Sequence, residues 1–366
     1  MITQLEIKNF RGFSEYKIDD VGQVNLLVGT NNCGKTSILE AVHLLKSRGD
    51  ASALFFLLFR RGERIIQNEE KTSRSTEGDL CRLFHGFRLT PELDLSINSI
   101  DHAVESLSIS INELQSVQLN QFKELADSIG GYQLDLEWRW GQDGHEKQAY
   151  PITYSGGLSY YLMRKMVLAR PSTKKWVNVF VPTSSLSPKG VVALFDNVVL
   201  SPDEDLVLEA IKIIEPDITR LASLGGIASS DDYPRGGIIV KSSKWEERIP
   251  IGNFGDGIWR LLGLILSLVA AKDGTLLFDE IDTGLHHTVM SKMWKLICTT
   301  ARKLNVQVFA TTHSSDCWKT LADNAVEEEF ADMPIRIHRI DKNKSKPETF
   351  TNREMHLALD QEIEVR

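Results

Sequence analysis

The sequence predicts an α/β fold: a mixed, largely parallel sheet with antiparallel strands at its N-terminus and an inserted α+β lobe. Three observations predict it. The last third alternates a helical pattern over 257–271, a strand Thr275–Phe278, a helix over 285–303, a strand Val306–Ala310 and one more helix. Strands that alternate with helices of this length build a parallel sheet with helices packed on it. Near the N-terminus, the apolar strand Val24–Val28 stops at a glycine, and a short polar loop leads into a helix over Thr36–Leu45. Before that loop, "ITQLEIKNF", "SEYKID" and "VNLLVG" follow one another as short strands.

Between these ends the elements follow in order. "ASALFFLLFRRGERI" is a second helical stretch that ends in basic residues, and the polar segment 68–79 reads as an exposed loop. "LDLSI", "SLSISI" and "YQLDLEWRW" read as strands, and the piece around 113–128 as helix. "WVNVFVP" is a buried-type strand. "DEDLVLEAIKIIEPDI" is an amphipathic helix with apolar positions at Leu206, Leu208, Ile211 and Ile214. "GGIIVKSS" with "ERIPI", and "IRIHRID" with "PETFTN", look like hairpins, and "REMHLALDQE" like a closing helix. No repeat, low-complexity tract or heptad run long enough for a coiled coil stands out.

Composition narrows the function classes. The chain has 366 residues, 42% of them hydrophobic, which suffices for a large core, and a net charge of −8. That charge argues against a nucleic-acid coat over the whole surface and leaves room for a local basic patch. The four cysteines, Cys33, Cys81, Cys298 and Cys317, include no C-x-x-C pair, so neither a zinc site nor a disulfide framework is indicated. A reducing cytoplasmic setting fits best. "MITQLEIKNFRGF" has no apolar signal-peptide core, and the longest apolar run, "LLGLILSLVAA", is shorter than the roughly 20 residues that span a bilayer.

The polar loop carries the first chemistry. Gly29, Thr30, Asn31, Asn32, Cys33, Gly34, Lys35 and Thr36 fit G-x-x-x-x-G-K-[ST] at every fixed position, with Ser37 next in line. Gly29 and Gly34 let the backbone turn sharply and come close to a ligand. The loop N–H groups then cradle phosphate oxygens, and the helix that follows adds its positive dipole end. Lys35 would reach the β- and γ-phosphates of a nucleotide such as ATP, and the Thr36 hydroxyl would ligate Mg²⁺. Nothing in the loop demands cysteine at position 33.

A second site closes the strand Thr275–Phe278 with Asp279 and Glu280. A second carboxylate strand is expected beside the phosphate-loop strand, where Asp279 can hold Mg²⁺ with Thr36. Glu280 can take a proton from the attacking water. Taken alone, an Asp-Glu pair at a strand end is equally a capped turn. One helix and one strand later, "VQVFATTHSSD" ends in Thr311, Thr312 and His313. His313 can donate to a γ-phosphate, although a lone strand-end histidine is more often structural. A fourth element, Gly255-Asp256-Gly257, opens the apolar helix before Asp279. It is another glycine-rich helix start that can receive phosphate, and it makes sense if it serves the nucleotide of another copy. The alternative is an ordinary glycine cap.

Together these motifs resemble the ABC-type ATPases of the SMC/RecF/OLD group, and more narrowly the stand-alone OLD-like ATPases. The resemblance rests on "LEIKNFRGF", the Walker A loop, the glycine signature, the Walker B continuation "DEIDTGLHH" and the "TTHSSD" switch. It implies a P-loop NTPase with an ABC-type head that dimerises around two ATP molecules, each signature loop completing the partner's site. It places Arg11 and the loop after "LCRLFHGF" near the nucleotide. The segments implied are 1–90 and 246–345 for the head, 91–245 for the inserted lobe and 346–366 for a tail. The signature departs from the LSGGQ of transporters, and Gln67 fits a Q-loop role poorly. The segment after His313 is too short for the Toprim nuclease domain of OLD nucleases, which implies an effector on a separate polypeptide.

Two functions follow. The first is an ATP-hydrolysing dimeric switch in antiviral defence or DNA repair, working with a separate nuclease or other effector. The second is a nucleotide-dependent scaffold or DNA-binding protein with little turnover. The basic clusters Arg60–Arg64 and Arg164–Trp176 are either DNA contacts or ordinary solvated faces. No N-K-x-D motif supports a GTP-specific switch.

Overall fold

Apolar residues alternate at Leu5 and Ile7, the chain turns through Arg11 at φ 50°, and Tyr16 and Ile18 resume the buried face. This period of two folds the N-terminus into a hairpin of β1 (Gln4–Phe10) and β2 (Phe13–Ile18). The computed structural model describes residues 1–65, 76–91, 93–100, 104–114, 129–168, 177–224 and 237–366. The chain forms two compact units. Elements are numbered along the chain.

The first unit comprises Met1–Val21, Asn32–Trp176 and Ile340–Pro347. Its β-strands are β1, β2, β4 (Arg64–Ile65), β5 (Glu77–Asp79), β6 (Asp94–Ile100), β7 (Val104–Glu113), β8 (Ile129–Trp140), β9 (Gly144–Thr153) and β10 (Gly157–Ser159). They join into one antiparallel sheet in the order β2-β1-β6-β7-β8-β9-β10-β5-β4. The N-terminal strands therefore share a sheet with the strands read from the middle of the sequence. Helix α1 (Lys35–Lys46) packs on β1, β6 and β7, and α2 (Ala51–Arg60) packs on α3 (Tyr160–Leu168).

Part of the segment expected as an exposed loop is β5. Glu77 is buried there, and its carboxylate accepts hydrogen bonds from the hydroxyls of Thr153 (2.8 Å) and Ser155. The polar composition of 68–79 hid this, because a buried carboxylate is tolerated only when distant donors satisfy it. The helix expected around 113–128 falls largely on residues outside the described set, as do Gln67 and the end of the basic cluster from 169 to 176.

The second unit comprises Gly22–Asn31, Val177–Arg339 and Glu348–Arg366. Its main sheet contains β3 (Val24–Val28), β11 (Asn178–Val181), β15 (Thr275–Phe278), β16 (Gln307–Thr311), β17 (Ile335–Arg339) and β18 (Glu348–Phe350). The order is β11-β15-β16-β3-β17-β18, parallel throughout except for the last pair. Every residue of β3, β15 and β16 is buried, as central parallel strands require. A three-stranded antiparallel sheet pairs β12 (Ile218–Ser223), β13 (Ile238–Ser242) and β14 (Arg248–Pro250).

Helices α4 (Pro188–Val198), α5 (Glu204–Lys212), α6 (Asp256–Ala270), α7 (His287–Lys303), α8 (Ser315–Asn324) and α9 (Asn352–Asp360) complete this unit around one apolar core. The longest described helix, α7, has 17 residues, so no described segment forms a long coiled coil. In α5 the buried stripe is Val207, Ala210 and Ile211, whereas Leu206 and Leu208 lie at its margins. Residues two apart on a helix are separated by about 200°, so Leu206 and Leu208 cannot share the core face.

One polar network sits inside the sheet. The Asn25 side chain donates to the carbonyls of Gly22 (2.8 Å) and Val308 (3.1 Å) and accepts from the Gly22 amide. It also meets His338 Nε2 at 3.2 Å. These bonds run from β3 to both of its neighbours and hold the phosphate-loop strand in register.

The sequence reading placed the carboxylate strand directly beside the phosphate-loop strand, and the sheet order corrects this. β16 lies between β15 and β3. Hydrophobic period identifies a strand but carries no information on its neighbours, and the inserted strand changes which side chains surround Asp279.

Candidate nucleotide-binding site

The loop from β3 to α1 has the backbone that its motif requires. Gly29 (φ 138°), Asn32 (φ 60°) and Gly34 (φ 106°) all take positive φ. Gly34 has a second reason to be glycine, because a Cβ there would lie 2.4 Å from Cζ of Phe13. Thr30, Asn31 and Asn32 are exposed, while Cys33, Lys35 and Ser37 are buried. Lys35 Nζ lies 3.8 Å from Cys33 Sγ. Gly29–Asn31 belong to the second unit and Asn32–Ser37 to the first.

Burial shields Cys33. Its thiol is 3% exposed, which is poor access for a bulky reagent. Burial pushes the Cys298 thiol up to about 12 and the Cys317 thiol higher still. Burial, with the Asp79 carboxylate at 2.8 Å, pushes Cys81 up to about 11. A raised pKa lowers the thiolate fraction at a given pH, and the thiolate is the reactive form. A maleimide titration at pH 8 should therefore label the native protein slowly and all four thiols after unfolding. Fast native labelling at Cys33 would show that the phosphate loop opens in solution.

The second unit gathers the carboxylate cluster. Asp279 closes β15 and is 4% exposed. Its Oδ1 accepts from the Thr311 hydroxyl at 2.8 Å, and its Oδ2 accepts from the Thr183 hydroxyl at 3.1 Å. Its amide donates to the Val181 carbonyl at 2.9 Å. Glu280 takes φ 53°, a left-handed conformation that costs a non-glycine residue about 1–3 kcal/mol and is held only by its surroundings. Its amide donates to Thr311 Oγ1 at 2.8 Å, and its Oε2 accepts from Thr283 Oγ1 at 3.2 Å. His313 Nε2 lies 3.9 Å from Glu280 Oε1. The Thr312 hydroxyl donates to Asp282 at 2.6 Å, and Arg366 Nη1 donates to the His313 carbonyl at 2.7 Å.

The glycine pair opens α6. Gly255 needs its glycine for φ 91°. Gly257 does not: a Cβ there would lie 3.8 Å from Leu285 Cδ2 and 4.0 Å from the Gly284 carbonyl oxygen, an ordinary contact. Asp256, between them, is exposed in the first turn of α6, where the helix dipole favours a carboxylate. The pair thus borders the turn that follows Glu280.

Within the second unit, Asp279, Glu280 and His313 come together, and Gly255–Gly257 adjoin their turn. Sequence reasoning missed Thr183 and Thr311. The double threonine before His313 was a visible signal for Thr311, and nothing marked Thr183. Arg11, which the resemblance places near nucleotide, is 4% exposed. Its guanidinium pairs with Glu40 (2.5 Å) and Glu63 (2.9 Å), and its amide donates to Leu83 of the "LCRLFHGF" segment.

Mg²⁺ favours hard oxygen donors, uses one or two carboxylates and completes its shell with phosphate oxygens and water. The Thr36 hydroxyl and the Asp279 carboxylate have that chemistry. Among the described residues, no group of three or more His, Cys, Asp or Glu gathers into a self-sufficient metal site.

A phosphate loop between a parallel strand and its helix, with a strand-end Asp-Glu pair, defines a P-loop NTPase. A family model described as "AAA ATPase domain" matches residues 1–84, and one described as "AAA domain, putative AbiEii toxin, Type IV TA system" matches residues 216–316. An "ATP/GTP phosphatase" of Helicobacter pylori is 22% identical over 349 residues, covering 90% of each chain. The "DNA replication and repair protein RecF" of Marinomonas sp. is 35% identical over 83 residues, covering 23% of this chain and 19% of its own. A solved Smc head domain with an extended coiled coil, from Pyrococcus furiosus, aligns with a TM-score of 0.46 at 12% identity over 99% of each chain. Both matched models describe ATPase domains, and the segments they match contain the phosphate loop and the Asp279–Glu280 pair. No helix among the described residues is long and apolar enough to cross a membrane.

Proposed function

We propose that this protein binds ATP with Mg²⁺, hydrolyses it, and uses the cycle to make and release a homodimer. The observation that carries the reading is the cluster of Asp279, Glu280 and His313 at adjacent strand ends, beside the turn that borders Gly255–Gly257. On this reading the phosphate-loop amides and Lys35 bind the phosphates, and Thr36 and Asp279 hold Mg²⁺, which would neutralise phosphate charge. Glu280 takes the proton of the attacking water, and His313 donates toward the γ-phosphate or the leaving product. The head, inserted lobe and tail implied by the resemblance do not coincide with the two compact units, because β11 and β18 lie in one sheet with β3.

The name of the Helicobacter relative supports nucleotide hydrolysis, and that of the RecF relative supports work on DNA. We place the switch in DNA repair or antiviral defence, with a separate effector.

The glycine pair provides the test. A Cβ at Gly257 meets only ordinary contacts within its own chain, and circular dichroism of Gly257→Arg should match that of the wild type before its activity is compared. If the pair serves a second copy's nucleotide, the variant should bind ATP but neither dimerise nor hydrolyse. A symmetric dimer places the same loop opposite two phosphate loops. Mixed with Lys35→Ala, one site of each mixed dimer keeps an intact Lys35 and faces an intact glycine pair. Turnover should return to about half per mixed dimer, if the two sites act independently. Turnover and mass in solution, each with and without Mg-ATP, give the readout. Full activity of Gly257→Arg as a monomer excludes the shared site.

A further inference from the structure

Thr311 ends β16 between two groups that the proposed chemistry uses, and it touches both. Its side chain is 1% exposed. Its hydroxyl donates to Asp279 Oδ1 at 2.8 Å and accepts from the Glu280 amide, also at 2.8 Å. Its carbonyl accepts from the Ile281 amide at 3.0 Å. A hydroxyl has one proton. With the Glu280 amide pointing at Thr311 Oγ1, that proton is directed to Asp279.

We propose that Thr311 is a positioning residue that locks the metal-binding carboxylate and the general base into one unit; the proposal rests on the ATPase reading above. The Asp279 carboxylate is gripped on both oxygens, by Thr311 and by Thr183 of the chain leaving β11. The left-handed Glu280 is gripped through its own amide and through that of Ile281, both bonded to Thr311. Loss of the hydroxyl removes one donor from Asp279 and leaves the part-buried amide of the strained Glu280 without its acceptor. Groups that orient a metal-binding side chain typically control metal affinity by about 10–100-fold. The inserted strand β16 thereby carries a function: it delivers one hydroxyl to two neighbouring positions of β15's end.

The test uses the full chain with Thr311→Val, which keeps shape and removes the hydroxyl, and Thr311→Ser, which keeps the hydroxyl and removes the methyl. ATP affinity in EDTA should be the same in wild type and both variants. The Mg²⁺ concentration giving half-maximal turnover should rise about 10–100-fold in Thr311→Val, with Mn²⁺ binding in the presence of ATP weakened in parallel. Thr311→Ser should stay near wild type. Thr311→Ala supplies the hydroxyl-free protein should valine prevent folding.

A wild-type Mg²⁺ midpoint and Mn²⁺ affinity in Thr311→Val overturn the inference, as does equal damage in the valine and serine variants, which would assign the effect to packing. A wild-type protein with no Mg²⁺-dependent ATP turnover overturns the functional reading instead.

Discussion

Glu280→Gln should retain Mg-ATP and stop turning it over. The substitution keeps the side chain's length and an oxygen able to accept from Thr283, so the turn that holds φ 53° at this position should persist. What it removes is proton affinity. An amide cannot take the proton of the attacking water, and loss of a positioned base typically costs roughly 10²–10⁴-fold in rate. With ATP persisting, the proposed dimer should persist with it. Single-turnover hydrolysis and mass in solution after adding Mg-ATP measure the two effects. Turnover at the wild-type rate would remove Glu280 from the chemistry and leave its contact with His313 a structural one.

Lys35→Ala should abolish hydrolysis and weaken ATP binding. Lys35 is 5% exposed at the first position of α1, and its ammonium lies near the Cys33 sulfur. A cation in such a place interacts with phosphate more strongly than it would in bulk water. A hydrogen bond to a charged group contributes about 1.5–3 kcal/mol, so Kd for ATP should rise by about one to two orders of magnitude. Losing one donor that stabilises transition-state charge typically costs a further 10²–10³-fold, roughly, in rate. Alanine is the best helix former, so α1 should be retained, which circular dichroism can verify. Unchanged turnover in this variant would mean that the hydrolysis observed comes from another site or a contaminant.

Legibility in the sequence followed the range of the interactions. β3 and β15 occupy the residues read for them, Val24–Val28 and Thr275–Phe278, because a central parallel strand is an unbroken apolar run between polar breaks. The phosphate loop was legible because its conformation is set by neighbours in the chain: two glycines and an asparagine at positive φ between a strand and a helix. The hairpins β13–β14 and β17–β18 were legible for the same local reason.

Strand β5 was missed because Glu77 looks like a loop residue until Thr153 and Ser155 reach it from far along the chain. Strands β9 and β10 and helix α3 were missed in a stretch where polar and aromatic residues mix without a clean period.

By itself, the sequence supplied the residue types from which the chemistry is proposed. Gly29–Thr36, Asp279–Glu280 and His313 each lie in one short segment, and the phosphate-binding, metal-ligand and proton-acceptor roles proposed for them were read from those segments alone. Only the tertiary structure decided the sheet order and what it assembles. With β16 between β15 and β3, Thr311 bonds both Asp279 and Glu280, and Thr183 reaches Asp279 from β11's end. Arg11 is drawn into ion pairs with Glu40 and Glu63. The physical reason is the same in each case. A hydrogen bond or ion pair between distant segments depends on which strands become neighbours, and that follows from burying the whole apolar surface at once rather than from the periodicity of any one segment.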